Sequence, residues 1–365
     1  MQFPQRFSSA EDLRTDGTVS STYMPTSLAL YGPCVGQQKP SRSTRPVFVI
    51  GCPRSGTTLL QHMILSSGDF AFYPWESSTF SYLGVKFRHL TSLKERKNVL
   101  DFFVRTERFA VLGLERNDIE SRVLSECVNI GDFLRIVMEE MCRKQAVHRW
   151  MEKTPDHALY ISNIKQSIPD ALIVHIIRDG RDVALSLANR GGRRFLWRGR
   201  SQLLPSGVFW KWIVQKARAG GRHIGQDYYE LHYEDLVTKP REMLAKLGDF
   251  IGHDLDYDRI LRVGSGCVSH PNTSFPQLAP ASPFNPIGRW KTQCPLEELA
   301  MFESLVGDSL EELGYSLSTS TQQRRRPPLS MTASLALYVA QLEMKVWIKT
   351  KSPFGALLVK SRYQM

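Results

Sequence analysis

The 365-residue sequence predicts an α/β domain, with a central parallel sheet flanked by helices on both faces and a C-terminal helical extension. Three observations carry that expectation. Short apolar runs rich in β-branched residues, Val47–Ile50 and Ala171–Ile177, read as fully buried strands. Each is followed by a polar turn and then by a helical pattern, and the alternation returns at Tyr228–Tyr233 and Glu242–Ile251. Strands that alternate with helices bury both faces of a parallel sheet. At 42% hydrophobic and 23% charged residues, the chain can fill one large core with additions.

The elements follow in order. Residues 1–45, rich in Ser, Thr, Pro and Gly, read as a flexible arm. Val47–Ile50 is the first strand, and from Thr57 a helix runs through Leu60, Met63 and Ile64. Residues 91–147 are helical in pattern, with Phe133, Val137 and Met141 at i, i+4 and i+8 behind Asp132 as the expected N-cap. Ala171–Ile177 is the second strand, with a helix from about Arg181, and Tyr228–Tyr233 is the third. Pro240 opens the helix over Glu242–Ile251. These place the main domain at 46–315, a linker at 316–330 and a tail at 331–365. In the tail, Leu335, Tyr338, Val339, Leu342 and Val346 form an apolar stripe at helical spacing beside Lys345 and Lys349. Such a stripe docks on its own domain or on a dimer mate. A basic amphipathic helix on an anionic membrane is the alternative.

Composition narrows the function. Six cysteines show neither a C-x-x-C pair nor metal-ligand spacing, so reduced thiols in a cytosol-like compartment are expected. No apolar signal segment is visible at the N-terminus, and no run reaches the roughly 18 to 20 apolar residues of a membrane span. A soluble, cytoplasmic protein is the expectation. The net charge of +11 is uneven: residues 316–365 carry eight basic side chains against one acid, Glu343. The main domain is therefore only mildly basic, which argues against nucleic acid as its partner.

The stretch VFVIGCPRSGTTLL at 47–60 is close to a phosphate-binding loop. A strand that feeds a helix through Gly51 and Gly56 aims backbone N–H groups and the helix dipole at one anion. The lysine that serves the β and γ phosphates of a nucleoside triphosphate is replaced by Thr57. The loop can clasp a single phosphate and lacks the device for a triphosphate. Arg178 closes the second apolar strand, and Asp182, Ser186 and Arg190 fall on one helix face. Arg178, Ser186 and Arg190 offer two guanidiniums and a hydroxyl to an anion, with Asp182 a candidate partner of Arg181 or Arg190. RDGRD could also be a surface salt-bridge network, and the first loop a tight turn that binds nothing.

Two anion loops at neighbouring strand ends suit a nucleotide with phosphates at both ends of its ribose. Here the sequence resembles the sulfotransferase family that uses 3′-phosphoadenosine 5′-phosphosulfate (PAPS). The resemblance rests on PRSGTTLL at 53–60, EKTP at 152–155, RDGRDVALSLANR at 178–190, HYEDLVTKP at 232–240, GRW at 288–290 and LGY at 313–315. It covers about 46–315 and is nearest to the branch with the tyrosylprotein sulfotransferases and bacterial relatives. The fold it implies is a P-loop-like three-layer α/β domain. It also implies that Pro53, Arg54, Ser55, Gly56, Thr57 and Thr58 cradle the 5′-phosphosulfate, and that Arg178 and Ser186 hold the 3′-phosphate. Arg190 matches a further cationic position, while Tyr233, Arg289 and Trp290 finish the nucleotide pocket. The product would be 3′,5′-ADP.

By the same resemblance, Arg54 and Lys153 stabilise charge on the transferring group and the leaving phosphate, and Glu76 in YPWESSTF is the general base. Glu76 is otherwise an ordinary helix-start glutamate, and His62 and His157 are rival bases. No Asp or Glu cluster suggests a metal, so none is expected. The acceptor is expected to be a hydroxylated small molecule, glycan or peptide, held by residues 77–150 and 191–215. Five arginines at 190, 193, 194, 198 and 200 would suit an acidic acceptor, or simply a solvated loop. The rival readings are a P-loop kinase or NTPase and a catalytically silent binding module on the same fold.

Overall fold

A computed structural model describes residues 41–189, 202–263, 286–352 and 355–356. Five parallel strands form the sheet: β1 (Val47–Gly51), β2 (Phe70–Ala71), β3 (Arg149–Lys153), β4 (Leu172–Ile177) and β5 (Tyr228–His232), in the order β2-β3-β1-β4-β5. The longer helices are α1 (Thr57–Leu65), α2 (Leu93–Phe103), α3 (Arg116–Glu126), α4 (Ile130–Gln145), α5 (Gly180–Ala188), α6 (Leu203–Arg222), α7 (Pro240–Ile251), α8 (Leu296–Glu312) and α9 (Leu329–Lys351).

Strand alternation divides the core into two layers. Phe48, Ile50, Ile173 and Ile177 point into a cluster with residues of α2, α3, α4, α6 and α8. Val47, Val49, Leu172, Val174 and Ile176 point the other way, onto α1 and α7. A strand buried on both faces tends to be apolar throughout, which is why β1 and β4 read as near-continuous apolar runs, β4 broken only by His175. The family fold is present: a three-layer α/β domain with an all-parallel sheet.

The structure differs from the sequence reading in several places. β3 carries Arg149, Glu152 and Lys153, so its polarity hid a central strand, and two-residue β2 is too short to leave a pattern. The helical region splits into α2, α3 and α4 with short turns between them. Asp132 is not the N-cap of α4. Asn129 is, and its side chain accepts from Gly131 N and Asp132 N, while the Asp132 carboxylate accepts from Asn129 N. This reciprocal box satisfies donors at both ends of the first turn. Tyr233 lies just past β5, at the start of a short helix over Tyr233–Thr238.

In a parallel sheet, all strands end at the same edge. β1 is the central strand, paired in register with β3 (Val49↔Lys153) and β4 (Gly51↔Ile176). Gly51, Lys153 and Arg178 are thus delivered to one edge, where the connections leaving β1 and β4 run to opposite sides of the sheet. That edge is where open α/β sheets place their ligands.

Candidate active site

The β1–α1 loop is built around backbone that few residues tolerate. Gly56 has φ +97°, and a Cβ there would lie 2.3 Å from Cδ2 of Tyr233. Arg54 has φ +78°, a left-handed conformation rare for a residue with a side chain, of the kind that concentrates at functional sites. Gly56 caps α1 and has no side chain of its own to accept from the first-turn N–H groups of α1. Ser55 and Thr57 are buried, whereas Pro53, Arg54, Gly56 and Thr58 are half-exposed. The Ser55 hydroxyl is buried with no hydrogen-bond partner among the described residues.

The two anion loops are joined through Arg54. Its Nε donates to Ser186 Oγ at 3.0 Å, and its carbonyl accepts from Arg178 Nη1 at 3.2 Å. Arg178 also donates to the Pro286 carbonyl and lies 4.5 Å from the centre of the Tyr233 ring, while its Nε is buried without a partner among the described residues. Tyr233 therefore braces both Gly56 and Arg178. Among the described residues, Asp182 does not pair with Arg181. It accepts from Gly288 N at 2.7 Å and Trp290 N at 3.1 Å, with Arg178 Nη2 at 3.9 Å. Burial pushes the Asp182 carboxyl up, against Arg178 and the two N–H groups. Its role is to tie the Gly288–Trp290 segment to α5.

The GRW residues divide. Trp290 is buried under the Arg181 guanidinium at 3.8 Å, a packing contact. Arg289 is half-exposed, with Nη2 donating to Gln293 Oε1 at 3.2 Å. Arg190, with Arg193, Arg194, Arg198 and Arg200, lies outside the described residues.

Across the sheet edge, Lys153 Nζ stands 3.5 Å from Glu76 Oε1, with 11% and 46% of the two side chains exposed. Strand alternation turns Glu152, the residue before Lys153, into the interior. Its Oε1 accepts from Ser77 Oγ at 2.8 Å, Ser77 N at 3.3 Å and Thr154 Oγ1, and its Oε2 from His157 Nδ1 at 2.8 Å. Ser78 N donates to Thr154 Oγ1 at 3.2 Å and Phe80 N to His157 Nε2 at 3.3 Å. Burial acts to raise the Glu152 carboxyl, but His157 and the hydroxyls hold it below the ordinary value. The turn that follows Glu76 is thereby pinned, residue by residue, to the strand end that carries Lys153.

This network answers the question of rival bases. Phe80 N donates to His157 Nε2, so that nitrogen carries no proton; Nδ1 carries it and points at Glu152. Both nitrogens are committed, in a ring packed between Phe48 and Phe80, so His157 is structural. His62 is half-buried, and burial followed by the Lys153 charge lowers its pKa. Sequence reasoning missed two contributors. Glu152 was visible in EKTP, and alternation along β3 is the signal that separates it from Lys153. Arg108, whose Nη1 donates to the Glu76 carbonyl, left no signal because it comes from a helical turn 32 residues away. Among the described residues, no three of His, Cys, Asp and Glu converge as metal ligands.

Comparison with known proteins agrees with this geometry. A family model described as "Sulfotransferase family" matches residues 46–257, from β1 through α7, and ends before the Gly288–Trp290 segment. An uncharacterised protein of Aquifex aeolicus (strain VF5) is 25% identical over 233 residues, covering 59% of this chain and 26% of that protein. The chain thus spans about a quarter of that relative's length. The sulfotransferase domain of the Synechococcus PCC 7002 olefin synthase is similar in fold, with a TM-score of 0.51 at 21% identity, covering 77% of this chain and 98% of that domain. With more than half of its length matched by the family model, this chain belongs to the sulfotransferase family.

Proposed function

We propose that the protein transfers the sulfuryl group of PAPS to a hydroxyl acceptor by in-line displacement. One observation carries the reading: Arg54 bonds to Ser186 and to Arg178, so the loops after β1 and β4 form one cationic edge. That edge contains two polar atoms buried without partners among the described residues, Ser55 Oγ and Arg178 Nε. Buried polar groups are satisfied as a rule, and orphans at an anion-shaped loop fit a dianionic or phosphoester ligand. The residues present thus suit PAPS. Pro53 to Thr58 would hold its 5′ end, Arg178 and Ser186 its 3′-phosphate, and Tyr233 and Arg289 the edge of the nucleotide pocket. PAPS supplies the activated sulfuryl group.

The chain's own residues would do the rest. The acceptor oxygen bonds to sulfur as the bond from sulfur to the 5′-phosphate oxygen breaks, and the hydroxyl proton passes to the Glu76 carboxylate. Glu76 becomes neutral in that step, which frees the charge of Lys153, its partner at 3.5 Å, to face the group being transferred. Arg54, held in its left-handed conformation, stabilises charge on the departing phosphate. Positioning and electrostatics supply most of the rate in transfers of this class.

The test uses ligands first. 3′,5′-ADP without magnesium should raise the melting temperature, and adenosine 5′-phosphosulfate, which lacks the 3′-phosphate, should do so much less. A rise with ATP and magnesium instead would favour the kinase or NTPase reading. Labelled PAPS with a panel of hydroxylated acceptors, read by mass, then identifies the product. Absence of turnover with tight 3′,5′-ADP binding would favour a silent binding module.

A further inference from the structure

α9 (Leu329–Lys351) is apolar on two opposite faces. The inner face puts Leu335 and Tyr338 into the core and packs Met331, Val339, Leu342 and Val346 against it. On the outer face, Leu329, Leu337, Met344 and Trp347 remain 89%, 60%, 59% and 60% exposed. Exposed Ala333, Ala336 and Ala340 fill the spaces between them, at the i, i+3, i+4 and i+7 spacings of one stripe. The stripe runs the length of a helix about 35 Å long. A solvated helix has no use for it, and patches of this kind mark interaction surfaces.

We infer that this outer face docks on an anionic membrane surface. Charge selects that occupant. The helix has one acid, Glu343, and the domain neutralises it: Lys216 Nζ lies 2.8 Å from its Oε1, and Trp212 Nε1 donates to the same oxygen at 2.8 Å. The exposed charges at the two ends of the helix are basic, with Arg325 and Arg326 before its N-terminal end and Lys351 at its C-terminal end, while exposed Lys345 lies on its flank. A second copy laid on the face, parallel or antiparallel, would bring cationic ends against cationic ends. Anionic headgroups meet both ends favourably, while Trp347 and the long lysine stems suit the boundary between headgroups and acyl chains. No helix among the described residues is long and apolar enough to cross a membrane, so the contact is peripheral. Because the inner face is already docked, the helix is held ready and pays little ordering entropy on contact.

The experiment is co-sedimentation of the full chain with vesicles of phosphatidylserine and phosphatidylcholine, and of phosphatidylcholine alone. Binding should require the anionic lipid and weaken as salt rises. The double variant Leu337→Ser and Trp347→Ser, both on the exposed face, should lose binding by roughly tenfold or more. Its melting temperature and its response to 3′,5′-ADP should stay unchanged. Lack of binding by the intact chain at low salt, or equal binding by the variant, overturns the proposal. So does a dimer in solution that the double variant dissolves, since a second copy is then the occupant. So does vesicle binding that appears only after residues 1–40 are removed, since the chain's own arm then covers the face.

Discussion

In the proposed reaction, single side chains at the sheet edge divide into those that would touch the transferred group or the acceptor and those that hold them there. Glu76→Gln preserves shape but removes the proton acceptor. Its kcat should fall on the order of a hundredfold or more while 3′,5′-ADP affinity barely changes, as read by steady-state kinetics beside thermal shift. Near-normal turnover would hand the role to His62 or to a water. Glu152 predicts a different signature. Glu152→Ala leaves Ser77, Thr154 and His157 with unsatisfied buried donors. It should cost about 3 kcal/mol or more in urea unfolding. The milder Glu152→Gln should recover part of that stability. If Glu152→Ala proved as stable as the parent, the pinning of the Glu76 turn would need another explanation.

At the scale of elements, the β1–α1 loop depends on Gly56 for backbone rather than side-chain reasons. Gly56→Ala places a methyl 2.3 Å from the buried Tyr233 ring at a φ of +97°. The clash and the strained conformation add, so a loss of about 2 kcal/mol or more is expected, together with loss of 3′,5′-ADP binding. A soluble Gly56→Ala protein that still responds fully to 3′,5′-ADP would show that the loop does not need this geometry. The strands explain what sequence could see of these elements. β1 and β4 are buried on both faces and announce themselves as apolar runs. β3 places Glu152 inside a hydrogen-bonded network and Lys153 at the site, so function overwrote the strand signal.

Across the whole molecule, the segment after α8 belongs to the domain further than its composition suggests. Buried Glu303 accepts from Ser318 N, Thr319 N and Thr319 Oγ1, and Arg181 bridges Glu303 to the Ser316 carbonyl. Arg181 in turn covers Trp290. Truncation after Ser320 spares this cluster, so 3′,5′-ADP affinity should stay within about 0.5 kcal/mol. Loss of α9 removes the burial of Leu335 and Tyr338, each worth about 1.5 to 3 kcal/mol. The melting temperature should therefore fall by about 5 °C or more. Truncation after Ser316 should cost further stability, because Glu303 then loses three donors. Equal melting temperatures for the two truncations would mean that Ser318 and Thr319 contribute nothing there.

The sequence alone determined the fold class, the positions of the loops after β1 and β4 and the family, because these depend on local patterns: apolar runs, glycines at fixed offsets and a cation at a strand end. Tertiary structure decided which partners those residues meet. The Asn129 cap, the bond from Arg54 to Ser186, the turn of Asp182 towards Gly288 and the commitment of His157 to Glu152 all join residues by geometry. The two faces of α9 show the limit most clearly. Both satisfy helical periodicity, and only packing of the helix on the domain, through α6, decided that Leu335 turns inward and Leu337 outward.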